Sequence, residues 1–169
     1  MARSRAPGRR DEVQVAHVVE KFASLFETYG FPRMSGRILT QLMVSEGPGL
    51  TASELAEGLQ VSAAAVSTST TFLLQVGLVE KLRLPGERRD RYHLPDDAWY
   101  LATASKDALY GRIAEMAAEA VVAVGGPRTT AGERFDQMRD FFEFLEREVP
   151  ALVDTWHADW ERRRRRTPR

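Results

Sequence analysis

The stretch LTASELAEGLQVSAAAVSTSTTFLLQVGLVEKLRLPGERRDRY, Leu50 to Tyr92, carries the densest local pattern in the chain. Thr51 and Glu54 have the spacing of a capping box, in which a hydroxyl and a carboxylate each take a backbone N–H left open at a helix start. Leu55, Ala56 and Leu59 then recur at helical spacing and predict a buried stripe. Gln60 and Val61 make a turn, and Ser62 is suited to cap a second helix. At about 100° per residue that helix divides into two faces. Val66, Ser69, Thr70 and Leu73 share one face, assigned to the core. Ala64, Ser67, Thr68, Thr71 and Gln75 share the other, where every side chain is small or polar and none is charged. A strand over Leu78 to Leu84, a turn at Pro85-Gly86 and a partner strand from Arg91 to Leu94 complete the stretch.

Helix, turn, helix, strand, basic hairpin, strand is the order of a winged helix-turn-helix. A small, uncharged helix face can press against a groove floor. Its hydroxyls can bond base edges, and alanine and threonine methyls can touch the thymine methyl. Ser62, Ala64, Ser67, Thr68 and Thr71 are therefore expected to read DNA; the plain alternative is a solvated helix face. In the hairpin, Lys81, Arg83, Arg88, Arg89 and Arg91 outnumber Glu87 and Asp90. Arginines at such a tip can clamp phosphates or enter a narrow minor groove. Arg88, Arg89 and Arg91 are expected to do so, against the alternative that the charges only protect an exposed sheet edge.

Thr51-Ala52-Ser53-Glu54-Leu55-Ala56, Val61-Ser62, Val66-Ser67 and Gly77-Leu78-Val79-Glu80-Lys81 together resemble the MarR family of bacterial transcription regulators. The wing Pro85-Gly86-Glu87-Arg88-Arg89-Asp90-Arg91-Tyr92 is most similar to the GbsR-like branch. The likeness is strongest over Phe31 to Asp97. It implies a homodimer on a pseudo-palindromic double-stranded operator, a role as a repressor, and a small-molecule effector. In two respects the chain departs from the family pattern. Gln60 stands where glycine is frequent, and no lysine or arginine lies between Arg37 and Lys81. Phosphate attraction supplies much of DNA affinity, so Arg33, Arg37, the wing and the chain ends are expected to provide it.

A chain of 169 residues without cysteine has the length of one domain, no disulfide and no zinc–thiolate site, which fits a reducing cytoplasm. No apolar run nears the roughly 20 residues that span a bilayer. Basic and acidic residues balance at 24 each, but unevenly along the chain. Residues 1–10 hold Arg3, Arg5, Arg9 and Arg10 and no acid; residues 161–169 hold Arg162 to Arg166 and Arg169 against Glu161. That leaves 14 basic and 23 acidic side chains in residues 11–160. Basic ends on an acidic body suggest accessory nucleic-acid contacts.

The expected organisation is mainly α with a small β wing. A disordered basic arm (1–10) precedes an N-terminal dimerisation helix (11–30), the winged unit (31–95), a C-terminal helical dimerisation region (96–160) and a basic tail (161–169). Val15, Val18, Val19, Phe22, Leu25 and Phe26 set the first helix; Ile38, Leu39, Leu42 and Met43 set the second. After the wing a helix is expected to run to Val124, burying Trp99, Leu109, Ile113, Met116 and Val121. Another spans Ala131 to Val149, with Phe135, Met138, Phe141, Phe142 and Leu145 on one side. Pro150 is expected to break it before a last helix to Arg166. This is more apolar stripe than a small winged unit covers, which suggests a dimer interface.

His17, His93 and His157 show no triad or metal spacing, so no catalytic residue, metal site or cofactor is expected. Phe31, Met34, Trp99 and Tyr100 are the candidate effector residues. The GbsR-like resemblance implies choline-type cations as one ligand class, which aromatic rings suit; simple hinge packing is the alternative. Two other readings of the whole chain stay open: a nucleoid-type protein acting through its arginine arms, and a winged-helix module for protein contacts.

Overall fold

The computed structural model describes residues 10–104 and 107–166. Arg3, Arg5, Arg9 and Arg169 therefore lie outside the described residues. The chain divides into two compact units between Asp96 and Asp97.

The first unit holds α1 (Glu12–Thr28), α2 (Arg33–Met43), β1 (Leu50–Thr51), α3 (Ala52–Leu59), α4 (Ala63–Gln75), β2 (Glu80–Leu82) and β3 (Arg91–His93). Asp11 caps α1, its carboxylate accepting from the N–H groups of Val13 and Gln14 at 3.0 and 3.2 Å. Val19 and Ala23 of α1 bury against α2, whose Ile38, Leu39 and Leu42 are also buried. Arg33 and Arg37 of α2 pair with Glu20 of α1, at 3.2 and 2.7 Å, and tie the two helices at their surface.

The capping box forms as the sequence implies. Thr51 Oγ1 accepts from the Glu54 N–H at 3.2 Å, and Glu54 Oε2 accepts from the Thr51 N–H at 2.7 Å. At the other end of α3, Gln60 takes the left-handed conformation, φ 55° and ψ 49°. The turn thus keeps its left-handed residue without glycine, at a strain of order 1 kcal/mol. Ser62 caps α4 by accepting from the Ala65 N–H at 3.2 Å.

The three short strands run antiparallel in the order β1-β3-β2. The first pairs Leu50 with Tyr92, a strand the sequence did not announce. Gly49 makes this pairing possible. Its φ is +111°, and a Cβ there would lie 2.5 Å from the Tyr92 carbonyl oxygen. Leu84-Pro85-Gly86-Glu87 closes the wing tip, the Glu87 N–H bonding back to the Leu84 carbonyl at 3.1 Å. Proline second and a positive-φ glycine third (84°) fit a type II turn.

The second unit holds α5 (Ala98–Ala104), α6 (Asp107–Ala123) and α7 (Thr130–Arg166). The expected single helix to Val124 is described as α5 and α6, on either side of undescribed residues 105 and 106. The expected break at Pro150 does not occur: α7 is continuous across it. Proline removes one backbone bond and crowds the preceding turn. Here both sides of it are packed, against α6 and α5 respectively, and that packing outweighs the local preference.

Burial in this unit also departs from expectation. Ala98, Ala114, Ala117 and Val121 are buried, whereas Trp99, Leu109 and Met116 are exposed. Phe135, Met138, Phe141 and Phe144 of α7 are exposed as well. Small residues let helices approach closely, so the alanine faces of α5 and α6 turn toward α7 while many bulky residues face outward.

Candidate nucleic-acid interface

The residues expected to meet DNA sit on α4 with its cap and on the wing, apart from Arg37 on α2. Helix α4 separates its faces as its sequence requires. Val66, Ser69, Thr70 and Leu73 are buried. Ala64, Ser67, Thr68, Thr71 and Gln75 are all exposed, as is Ser62 at the cap. Core threonine is satisfied inside the helix, Thr70 Oγ1 donating to the Val66 carbonyl at 2.9 Å. Thr71 Oγ1 donates to the Ser67 carbonyl at 2.9 Å, so its remaining hydrogen-bonding capacity is as an acceptor. Ser62 accepts one bond in capping and keeps its proton to donate. The outward face thus offers methyl groups, acceptors and hydroxyl donors, with no charge to desolvate.

The wing arginines divide by role. Arg91 is held inside the unit: to Glu87 at 2.9 Å, to Glu54 at 3.1 Å and to the Gly49 carbonyl at 3.0 Å. The Glu87 hydrogen bond, then the nearby charges of Glu54 and Glu87, hold its guanidinium above its usual pKa. Glu54 is held below the usual carboxylate range, first by the Thr51 backbone N–H and further by Arg91. One carboxylate therefore caps α3 and anchors the wing. Arg83 pairs with Asp90 at 2.6 Å across the hairpin. Arg88 and Arg89 are exposed, and among the described residues no hydrogen bond or ion pair engages either. They border a shallow cleft of about 430 Å³ that Glu54, Glu57 and Glu87 also line.

Two of the arginines expected to meet DNA, Arg37 and Arg91, have partners within the unit. Arg37 bonds Glu20 and, at 3.2 Å, the Leu59 carbonyl at the end of α3. Arg91 braces the hairpin against β1 and α3. Arg37 finds its partners 17 and 22 residues away; Arg91 has one four residues away, Glu87, and two at 37 and 42 residues, which local pattern does not show.

The effector candidates are distributed between the units. Phe31 packs on Phe26 and Phe72 in the first, with ring centroids 5.6 and 4.9 Å apart; Met34 is half-buried there. Trp99 and Tyr100 belong to the second, where with Thr103, Leu152, Val153 and Trp156 they line a cavity of about 360 Å³. The histidines are less idle than their scatter suggested. His157 approaches Asp97 and Glu161, and the i, i+4 spacing of His157 and Glu161 was the available signal.

Comparison with known proteins agrees with this architecture. Residues 29–90 match the MarR family model, and residues 97–161 match a model described as MmpR5-like MarR family transcriptional regulator. Neither bears the GbsR-like name. The chain is 27% identical over 138 residues to the HTH-type transcriptional regulator MmpR5 of Mycobacterium tuberculosis, covering 82% of this chain and 84% of that one. It is 31% identical over 81 residues to the HTH-type transcriptional repressor OpcR of Bacillus subtilis, covering 48% of this chain and 43% of that one. A crystal structure of a transcriptional regulator superposes with a TM-score of 0.78 at 25% identity, over 86% of this chain and 99% of the other. Two models of one family account for separate parts of the chain, one on the winged unit and one on the helices after it: the chain belongs to the MarR family of transcriptional regulators.

Proposed function

We propose that this member of the MarR family acts as a homodimer that binds a pseudo-palindromic operator and represses transcription. The observation that carries the reading is the exposed, uncharged face of α4 at Ala64, Ser67, Thr68 and Thr71, set on a buried opposite face. In this reading that face selects bases in the major groove, Ser62 meets a phosphate, and Arg88 and Arg89 of the wing hold the duplex. Arg37 and Arg91 act indirectly, by positioning α2 and the hairpin.

The exposed bulky residues of α7 and of α1, where Phe22 and Leu25 are uncovered, support pairing of two chains. Several large apolar side chains exposed along one helix suit an interaction site. The aromatic cavity of the second unit supports a small-molecule effector, which shifts DNA affinity only by binding one arrangement of the dimer better than another. Repression follows the name of the OpcR relative. The work of the protein is then recognition rather than catalysis, in the cytoplasm; among the described residues no helix is long and apolar enough to cross a membrane.

A binding titration with the upstream region of the protein's own gene tests the proposal. Saturable retention of that DNA over a scrambled duplex, at two chains per site, is the expected result. Equal affinity for both would leave a non-specific coating protein, and no binding to either would leave a protein-interaction module.

A further inference from the structure

We propose that Asp97, His157 and Glu161 form a binding site for a divalent transition-metal ion of the zinc class. The site is independent of the regulatory reading above, since it rests on donor geometry within the second unit.

Asp97 immediately precedes α5, and His157 and Glu161 stand one turn apart on α7. Residues so spaced share a helix face. One ligand atom from each lies within 4.8 Å of the others. His157 Nε2 and Asp97 Oδ1 are 3.4 Å apart. Bonds of about 2.0–2.1 Å in tetrahedral zinc place neighbouring donors about 3.3 Å apart, so this edge already has the required length. Glu161 offers the third donor, within 4.8 Å of the other two. Its present partner, Arg165 at 3.4 Å, is exposed and free to swing away.

The nitrogen itself is the second observation. His157 Nε2 is shielded from solvent and has no hydrogen-bond partner among the described residues. Its contact with Asp97 is longer than the usual 2.7–3.2 Å and lacks hydrogen-bond alignment. A buried polar atom is ordinarily partnered, and one that is not calls for an explanation. The ring is meanwhile held in place. Tyr100 stacks on it at 4.3 Å and 28°, and the Tyr100 hydroxyl donates to Asp154 at 3.0 Å. Stacking of this kind fixes the plane of the ring.

Donor chemistry narrows the ion. An imidazole suits zinc, copper, iron or nickel, and an all-oxygen set suits magnesium, calcium or manganese. One nitrogen with two carboxylates selects the first group. Three protein ligands leave a further position for water or an effector carboxylate. A bound ion joins the start of α5 to the far half of α7, beyond Pro150.

The test uses untagged full-length protein, stripped with a chelator and titrated with Co²⁺. One equivalent per chain, visible d–d absorption, displacement by Zn²⁺ but not by Mg²⁺ or Ca²⁺, and a raised melting temperature are expected. His157→Gln and Asp97→Asn remove the absorption; His17→Gln and His93→Gln keep it. Far-UV circular dichroism checks that the variants are folded, and the ¹⁵N shift of the His157 ring in the unaltered protein reports the bond if a variant is not. Absent binding, binding that survives His157→Gln, or a ring nitrogen unchanged by metal overturns the proposal and leaves His157 and Asp97 as an ion pair only.

Discussion

Replacing Arg88 and Arg89 together with alanine isolates the electrostatic part of DNA binding. Both side chains are exposed and make no ion pair among the described residues, so their removal costs the fold little. In the proposed complex a dimer loses four charges that face the duplex. Each phosphate contact contributes about 0.9 to the slope of log affinity against log salt, so the slope flattens by about 3.6. Between about 50 and 200 mM salt, a fourfold change, the unaltered protein then loses roughly 150-fold more affinity than the variant. Fluorescence anisotropy over a salt series measures this, on the upstream DNA and on a scrambled duplex alike. The two duplexes are expected to show the same flattening, because phosphates carry no sequence. An unchanged slope, or a loss confined to the specific duplex, refutes the assignment. Arg91→Ala provides the contrast. It removes contacts to Glu87, Glu54 and the Gly49 carbonyl, and its melting temperature falls where that of the double variant does not.

Four further outcomes are expected. Ser67→Ala and Thr68→Ala each change base preference, by about 1–3 kcal/mol at the base pair they face, with random-DNA affinity kept; competition with single-base operator variants measures it. Gly49→Ala destabilises the first unit by about 1–3 kcal/mol in chemical denaturation, because alanine disfavours φ +111° and its Cβ meets the Tyr92 carbonyl. Glu54 has a lowered folded pKa, so its contribution is full above the usual carboxylate range and is lost as pH falls through that lowered value. Melting curves from neutral pH to about pH 3 are therefore expected to fall less steeply for Glu54→Gln than for the unaltered protein. Phe141→Asp, on the exposed face of α7, weakens the dimer about 30-fold or more by sedimentation, as loss of a central apolar anchor does.

The short-range features were legible in the residues themselves. A capping box needs only Thr51 and Glu54 three positions apart, and the two faces of α4 follow from its own periodicity. Such features depend on neighbours within one or two turns, and any structure containing those helices would show them. Gln60 was visible as an anomaly, and its left-handed backbone explains how the turn survives without glycine.

Only the tertiary structure assigned the arginines. Arg37, Arg88, Arg89 and Arg91 look alike in sequence, yet Arg37 and Arg91 are bound to distant acids and carbonyls while Arg88 and Arg89 face outward. Charge composition counts a side chain; it does not say which carboxylate the fold brings to it. The same limit applies to Pro150, where packing on both sides overrides a local helix breaker, and to Asp97 and His157, which 60 positions separate along the chain. Local chemistry thus determined the elements and the uncharged outward face of α4, and the packing of elements on one another decided which charges remain available, because pairing depends on distance in space rather than along the chain.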